Sequence, residues 1–302
     1  MPFQFSNKDF NELGLMLGGN WSDSTISNMS CKDRTAYFVD FFYVSPRTAA
    51  EVYRDIQHPD LGENQIKKPD PREFLGGLYF LKKYPSKKAQ AGFIGSSEKY
   101  GLPKAWKYVE ALQALKEKKI RWIFDEEPYR NFQEYYFLTV DGVHFRVYEP
   151  RYMPSSGWYS QKFNKAALAY EIGLSVYHPN ICWVNGPFPA GQNDMRIFKK
   201  PEGLMSKIPD NQRGIGDEGY VGEPTKLSTQ NEFDSSEVKQ LKRRAKARQE
   251  TINAKLKSFG ILNQVFRTTG KQRFAKHKAA LEACLVLIQY ELDNGTRKIM
   301  KV

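Results

Sequence analysis

Three acidic residues have the types and spacing that could do chemistry. Asp141 lies within an apolar run, 137–147, that reads as a buried strand. Asp217 follows the short segment 214–216, and Glu250 lies 33 positions later in a basic helix. Two carboxylates cannot by themselves hold two hard divalent cations, whereas three can with the help of water and phosphate oxygens. Two such cations about 4 Å apart activate a nucleophile and stabilise the leaving oxygen in phosphoryl transfer. The pattern therefore indicates metal-dependent phosphoryl transfer.

Each of these acids also has a structural interpretation. Asp141 and Gly142 could form a hairpin turn, and Asp217 could be favoured in a turn for its own backbone hydrogen bonds. Glu250 could pair with Lys246 one turn earlier, which would contribute only a few tenths of a kcal/mol. The catalytic interpretation, in contrast, requires the three carboxyl groups to lie close together in the folded protein despite their separation in sequence.

Apolar periodicity and breaker residues define the elements that would position these acids. Strands are predicted at 137–147, 159–163, 167–177 and 181–184, and a short strand ends in a turn at Asp217. Residues 185–191 and 222–236 are predicted to be loops. Helices are predicted to begin at Asp194 and to span about 236–259 and 274–292.

The chain ahead of the strands is predicted to be helical. Asp70, Pro71 and Glu73 form a helix start, and two further short helices follow, the third of them basic. Such a trio fits a helix-turn-helix unit, with DNA contacts predicted for Lys99, Lys104 and Lys107. We therefore divide the chain into an N-terminal region without a clear pattern, a helical DNA-binding region and a catalytic domain, at 1–68, 69–128 and 129–302.

Composition narrows the class of protein. The 302 residues carry a net charge of +12, and nucleic acid is the commonest polyanionic partner of such a basic chain. The three cysteines are far apart, which argues for a reducing compartment and against a disulfide framework or a zinc site. We find neither a secretory signal nor an apolar run of about 18 residues, so an intracellular protein without a membrane partner is expected.

The basic helix around Glu250 strengthens this expectation. Eight Lys and Arg residues lie between positions 239 and 257, and Glu250 is the only acid in that interval. We predict that the helix binds backbone phosphates without reading base sequence. The residues predicted to make these contacts are Arg243, Lys246, Arg248 and Lys257.

Three spans resemble the catalytic blocks of DDE-superfamily transposases, most closely those of the Harbinger-like endonuclease group. They are Val-Asp-Gly-Val-His-Phe at 140–145, Gly-Asp-Glu-Gly-Tyr at 216–220 and Arg-Gln-Glu-Thr-Ile-Asn at 248–253. Residues 185–194 resemble a further, Gly-rich block of this family, and 78–106 resemble its helical DNA-binding segment. The resemblance covers roughly residues 70–293.

The resemblance implies an α/β fold with an RNase H-like core, a mixed five-stranded sheet flanked by helices. It implies that Asp141, Asp217 and Glu250 are catalytic and hold Mg²⁺ or Mn²⁺, as two ions. Glu218 departs from the family pattern, where a small or basic residue is more common. Asp194 is a rival for the second acid, and its alternative role is to cap the helix that begins there.

The main functional hypothesis is a DDE transposase-type endonuclease that cuts DNA and transfers the strand. The family implies residence in the nucleus and either self-association or a separate DNA-binding partner protein. One alternative is a domesticated DNA-binding protein that keeps the fold without cutting. Another is a nuclease of the same fold that acts on RNA, since a basic helix does not separate those substrates.

Overall fold

The computed structural model describes residues 4–19, 25, 28–126, 135–150 and 155–295. It divides into two compact units, each discontinuous in sequence. The first consists of Met1–Lys119, Ser258–Gln264 and Ala279–Arg297, and the second of Ile120–Lys257, Val265–Lys278 and Lys298–Val302. The boundary predicted between residues 128 and 129 falls outside the described residues, so that division stays a prediction.

The described part of the first unit is helical. Its helices up to residue 119 are α1 (Asn7–Gly18), α2 (Cys31–Phe42), α3 (Pro46–Asp55), α4 (Pro71–Lys83), α5 (Lys87–Ile94), α6 (Glu98–Ala114) and α7 (Lys116–Lys119), with a 3₁₀ turn at Pro59–Asn64.

The predicted helix start at Asp70 is confirmed. Its side chain accepts a hydrogen bond from the Glu73 amide at 3.0 Å, with Pro71 in the first helical position. Ser86 caps α5 in the same way, and Gly95 ends it with φ 68°, a conformation that favours glycine. Phe74 of α4 is 0% exposed, and its ring contacts the rings of Phe10, Tyr53 and Tyr108. Local capping therefore sets the boundaries of α4 and α5.

The second unit is built on a mixed sheet. Its described strands are β1 (Tyr136–Arg146), β2 (Tyr159–Ser160), β3 (Lys165–Ser175), β4 (Ile181–Pro189), β5 (Arg213–Ile215) and β6 (Leu227–Ser228). β3 pairs antiparallel with β1, β2 and β4, whereas β5 runs parallel to both β1 and β6. The described residues thus form six strands rather than the five expected, two of them only two residues long.

The prediction of a loop at 185–191 is wrong for residues 185–189, which belong to β4. β4 stays paired with β3 as far as Pro189, with Asn185 opposite Glu171 and Phe188 opposite Ala169. Glycine and proline disfavour strands locally, but here pairing with a long neighbouring strand keeps the backbone extended. β6 likewise lies inside the segment 222–236 that was predicted to be a polar loop.

The helices that follow are α8 (Asp194–Phe198), α9 (Ser236–Lys257), α10 (Gly260–Asn263) and α11 (Arg273–Asp293). α9 matches the predicted long helix and buries Ala245, Ile252 and Leu256. On the sheet, a core cluster forms around Leu138, Val140 and residues beyond β4. Among the described helices, none is long and apolar enough to cross a membrane.

Candidate carboxylate site

The pairing of β1 with β5 sets the positions of two predicted acids. The last parallel pair joins Thr139 to Ile215. Asp141 and Asp217 each lie two residues beyond that pair, and the backbone at Asp217 is still extended (φ −81°, ψ −173°). Because alternate residues of a strand share a face, equal offsets from one parallel pair put both carboxylates at the same height on the same side. The sheet register therefore brings Asp141 and Asp217 together.

Asp217 also behaves as a turn residue. Its Oδ1 accepts a hydrogen bond from the Gly219 amide at 2.9 Å, and the 3₁₀ turn Glu218–Tyr220 follows. The predicted turn at Asp217 is therefore confirmed, and this hydrogen bond uses only one of its two carboxylate oxygens.

Helix α9 is tied to the same face of the sheet by two amide side chains one turn apart. Thr139 Oγ1 donates to Gln249 Oε1 at 2.9 Å, and Gln249 Nε2 donates to the Ile172 carbonyl at 3.2 Å. Asn253 Nδ2 donates to Asp141 Oδ2 at 2.5 Å. These bonds determine which part of α9 meets the two acids, and Glu250 lies between the two amides in sequence.

Glu250 completes the lining of one cavity. The cavity has a volume of about 230 Å³, and its lining includes Asp141, Asp217 and Glu250 together with Lys162 and Lys246. Glu250 is exposed, whereas both aspartates are partly buried. The three sequence-predicted acids therefore meet at one cavity, with Glu250 on its solvent side.

Asp194 joins the two aspartates. A Cβ on Gly142 would overlap Asp194 Oδ1, and a Cβ on Gly219 would lie 3.0 Å from both Asp194 Oδ2 and Asp217 Oδ1. The two glycines therefore leave the space that the Asp194 carboxylate occupies. The capping role considered for Asp194 is wrong, because Asn193 Oδ1 accepts the Met195 amide at 2.8 Å and caps α8.

The aspartates influence one another's ionisation. Burial raises the pKa of Asp141, and the charge of Asp217 adds to the rise, while Lys162 and the Asn253 hydrogen bond oppose it. Burial likewise raises the pKa of Asp194 to about 6, and the charges of Asp217 and Asp141 contribute. Bringing these groups together costs free energy when all are ionised, and a cation would relieve that cost.

Lys162 is a residue that the sequence did not single out. Its ammonium donates to the Gly142 carbonyl at 3.2 Å, and its charge lowers the pKa of both Asp141 and Asp194. Among the described residues it makes no contact ion pair, so two of its N–H donors remain for another acceptor. A lone lysine in a turn carries no sequence signal for such a role.

Glu171 is a buried acid on β3. It is opposite Gly142 in the β1–β3 register, and its side chain is 1% exposed. Trp183 Nε1 donates to Glu171 Oε2 at 2.8 Å. Burial raises the pKa of Glu171 to about 7, and the negative charge of Asp194 contributes to the rise. The hydrogen bond from Trp183 acts in the opposite direction and lowers this pKa. An acid inside the predicted strand 167–177 was the available signal for this residue.

We expect this buried acid to make stability depend on pH. The pKa of Glu171 is about 7 in the folded protein against a model value of 4.5, so between those values the folded state holds a proton that the unfolded state has lost. Stability should therefore fall as pH rises from about 5 to about 8. Glu171→Gln removes this loss, and the variant should gain about 3 kcal/mol over the wild type at pH 8 but only about 1 kcal/mol at pH 5. Thermal unfolding at both pH values measures the difference.

The control for this experiment is Glu202→Gln, since Glu202 is an exposed acid of the same unit. Its unfolding curve should follow that of the wild type at both pH values. A Glu171→Gln variant that loses stability at pH 8 would show that the ionised carboxylate is paired more favourably than its surroundings indicate.

A second expectation concerns Gly142. Its replacement by Ala should destabilise the protein by about 1–3 kcal/mol, because the new methyl group must displace the Asp194 carboxylate. Gly157→Ala is the matched control, since a Cβ there meets nothing within 4 Å, and its effect should stay within about 0.5 kcal/mol. Denaturant unfolding of both variants tests the contact; equal stabilities would mean that Asp194 does not occupy this position.

The residues predicted to contact DNA differ in their availability. Arg243, Lys246 and Lys257 are exposed on α9. Arg248 is 4% exposed, and its guanidinium donates to the carbonyls of Val176 and His178. The prediction that Arg248 binds phosphate is therefore not compatible with its burial, because its donors serve the protein interior.

In the first unit, the three lysines predicted to contact DNA differ in exposure and in ion pairing. Lys99 and Lys107 are exposed, and Lys104 pairs with Glu73 at 2.7 Å. That pair raises the pKa of Lys104 through the Glu73 hydrogen bond and charge. A phosphate would have to compete with Glu73 for Lys104, whereas no described residue forms an ion pair with Lys99 or Lys107.

The donor chemistry of the site suits a hard divalent cation. Carboxylate oxygens are the ligands that Mg²⁺ prefers, and Asn253 Oδ1 is a buried oxygen without a hydrogen-bond partner in the described structure. As the side chains stand, no three His, Cys, Asp or Glu residues of the described part form a group that could hold a metal ion. The site therefore contains side chains that could ligate such a cation, but in this structure they are not close enough together to form a metal site.

Part of the chain matches the model of a known protein family. Residues 140–289 match the family model described as DDE superfamily endonuclease, which supports the relationship to the transposase and endonuclease superfamily. The matched segment covers about half of the chain and contains Asp141, Asp194, Asp217 and Glu250. No curated protein and no solved structure gives a significant match.

Proposed function

We propose, from the match of residues 140–289 to the DDE superfamily endonucleases, that this protein is a metal-dependent DNA endonuclease of the transposase type. The observation that carries the proposal is that Asp141, Asp217 and Glu250, though far apart in sequence, line one cavity. Assignment to the Harbinger-like group and to an RNase H-like core belongs to this proposal. The mixed sheet, with antiparallel and parallel strands flanked by helices, supports such a core.

In the proposed site, Asp141, Asp217 and Glu250 are the residues that would hold Mg²⁺ or Mn²⁺, with Asp194 as a further acid. Bound metal supplies activation of a water nucleophile and stabilisation of the leaving oxygen. Asn253 orients the Asp141 carboxylate through its amide N–H. Catalysis by the protein itself then consists of positioning and charge neutralisation.

Exposed cations would bind the DNA backbone near this cavity. Arg243 and Lys246 line it and are exposed, and Lys162 keeps free N–H donors beside the acids. In the first unit, Lys99 and Lys107 are the proposed phosphate contacts of the helical DNA-binding region. Residence in the nucleus, and association with a second copy or a DNA-binding partner, are extensions of the same proposal.

Nicking of labelled duplex DNA tests the proposal directly. The full chain should convert supercoiled or end-labelled DNA to nicked product with Mg²⁺ or Mn²⁺ and should give no product in EDTA. DNA binding without any nicking would favour the domesticated DNA-binding protein, and cleavage confined to RNA would favour the RNA nuclease.

The Lys162 ammonium should assist the reaction. Lys162→Met is expected to lower the nicking rate by roughly 100-fold, as loss of a preorganised donor to a developing charge does elsewhere. Lys165→Met is the matched control, because Lys165 is an exposed lysine three residues away whose loss changes net charge equally. Equal nicking rates for the two variants would remove Lys162 from the reaction.

A further inference from the structure

Phe233 is the most exposed large hydrophobic residue of the described chain. Its side chain is 86% exposed, and it lies between β6 and α9. Among the described residues its ring has no aromatic or cationic partner. A single exposed apolar side chain is ordinary in a mobile loop. The surrounding backbone, however, is held in place.

Hydrogen bonds on both sides of Phe233 define its turn. The Phe233 amide donates to Asn231 Oδ1 at 3.0 Å. The Asn231 amide donates to Asp234 Oδ2 at 3.1 Å, and the Asp234 amide donates to the Asn231 carbonyl at 3.2 Å. The turn therefore fixes the backbone of Phe233 while its ring points away from these contacts into solvent.

Two lysines fasten this turn to α9. Lys239 Nζ donates to the Glu232 carbonyl at 2.6 Å. Lys242 Nζ donates to Asp234 Oδ2 and to the Thr229 carbonyl, each at 2.7 Å, and the Lys242 side chain is 4% exposed. A buried ammonium that bonds both ends of the turn leaves the segment little freedom to collapse onto the protein and bury the ring.

The turn also adjoins the carboxylate cavity. Lys242, which holds the turn, and Gln230, three residues before Phe233, both line that cavity. Three residues of extended chain span at most about 11 Å, so the backbone of Phe233 lies no further than that from the backbone of Gln230, which lines the cavity. Arg243 and Lys246 line the same cavity and are exposed.

An exposed aromatic ring beside exposed cations is the arrangement by which proteins hold unpaired nucleotides. The cations bind the backbone, and the ring stacks on a base. We propose that Phe233 stacks on an unpaired base of the DNA strand that occupies the carboxylate cavity. This inference rests on the proposed function, because that function supplies DNA as the partner. In an intact duplex both faces of each base are already stacked, so the ring adds affinity only where a base is unpaired.

The test compares two fluorescein-labelled duplexes of one sequence, one fully paired and one with a single unpaired 2-aminopurine at its centre. Binding is measured by anisotropy with the full chain in EDTA, and stacking by the change in 2-aminopurine emission. Phe233→Ala should weaken binding of the unpaired-base duplex by about tenfold and abolish the emission change. Binding of the paired duplex should change by less than about twofold, and Phe233→Trp should retain both signals.

Tyr148→Ala is the matched control, since Tyr148 is another exposed aromatic of the second unit, at 52% exposure. It should leave both duplexes unaffected. If the wild type binds DNA but Phe233→Ala weakens neither duplex, or weakens both equally, the inference fails while the proposed function stands. A change in oligomeric state with unchanged DNA binding would mean that Phe233 contacts protein instead. A wild type that binds neither duplex overturns the inference together with the proposed function.

Discussion

Replacing Glu250 with Gln is expected to lower Mg²⁺-dependent nicking by roughly 1000-fold or more, while the affinity for DNA stays within about twofold. The amide keeps the shape of the side chain but removes the charge that a divalent cation requires. Glu250 lines the same cavity as Asp141 and Asp217, so its replacement removes one of the three carboxylates that the proposed site supplies to the cation. Two carboxylates do not suffice for two hard cations.

DNA affinity should survive this change because other side chains supply the attraction. Arg243 and Lys246, both exposed, flank Glu250 on the same cavity. Removing one negative charge among them cannot weaken attraction to a polyanion. Single-turnover nicking and anisotropy titration at one fixed salt concentration measure the two quantities separately, since DNA affinity depends strongly on salt.

Glu237→Gln is the control for Glu250→Gln, because Glu237 is an exposed acid in the first turn of the same helix. It should cut DNA as the wild type does. If Glu250→Gln also cuts at the wild-type rate, Glu250 is not part of the site, and the third acid must be sought among Asp194, Glu218 and Glu232.

Asp141→Asn is expected to lower the nicking rate about as much as Glu250→Gln does. In EDTA at pH 8, the same replacement is expected to raise the Tm of the protein. Burial and the charge of Asp217 raise the pKa of Asp141, so the ionised carboxylate at pH 8 is held at a cost in stability. For an acid whose pKa is raised on folding, the contribution to stability is complete at low pH and is lost as pH rises through the folded pKa. The neutral amide avoids that loss, and its oxygen can still accept from Asn253 Nδ2.

Opposite changes in activity and stability would separate a functional acid from a structural one, because a structural Asp would lose stability on replacement. Asp210→Asn provides the contrast. Asp210 is exposed and pairs with Lys226 at 2.6 Å, which lowers its pKa, so this variant should keep Tm or lower it slightly. A lower Tm for Asp141→Asn at pH 8 would contradict the proposed electrostatic cost.

Short-range patterns in the sequence determined much of the architecture. The cap at Asp70, the strand 137–147, the turn at Asp217 and the long basic helix were all predicted, and the structure has each of them. These features depend on hydrogen bonds and apolar spacing within a few residues, so the chain specifies them locally. The same local patterns placed the candidate acids on a strand, in a turn and on a helix.

What the acids can do together was decided by tertiary structure. The offset of Asp141 and Asp217 depends on the register of β1 against β5, which no local pattern reveals. Asp194 can come close to β1 only because residue 142 is a glycine, whose missing side chain leaves room for the carboxylate. This role of Gly142 becomes visible only once the position of α8, which carries Asp194, is known.

Burial was decided in the same way for charged residues that sequence alone treats as equivalent. Arg248 and Lys246 lie two positions apart on one basic helix, yet Arg248 bonds to buried carbonyls and Lys246 is exposed. Glu171, in a predicted strand, is enclosed with a raised pKa, whereas Glu250 remains on the solvent side of its cavity. A charge pattern states which residues can ionise; the packing of helix on sheet decides which of them meet solvent, a cation or one another, because only contacts between distant segments remove water.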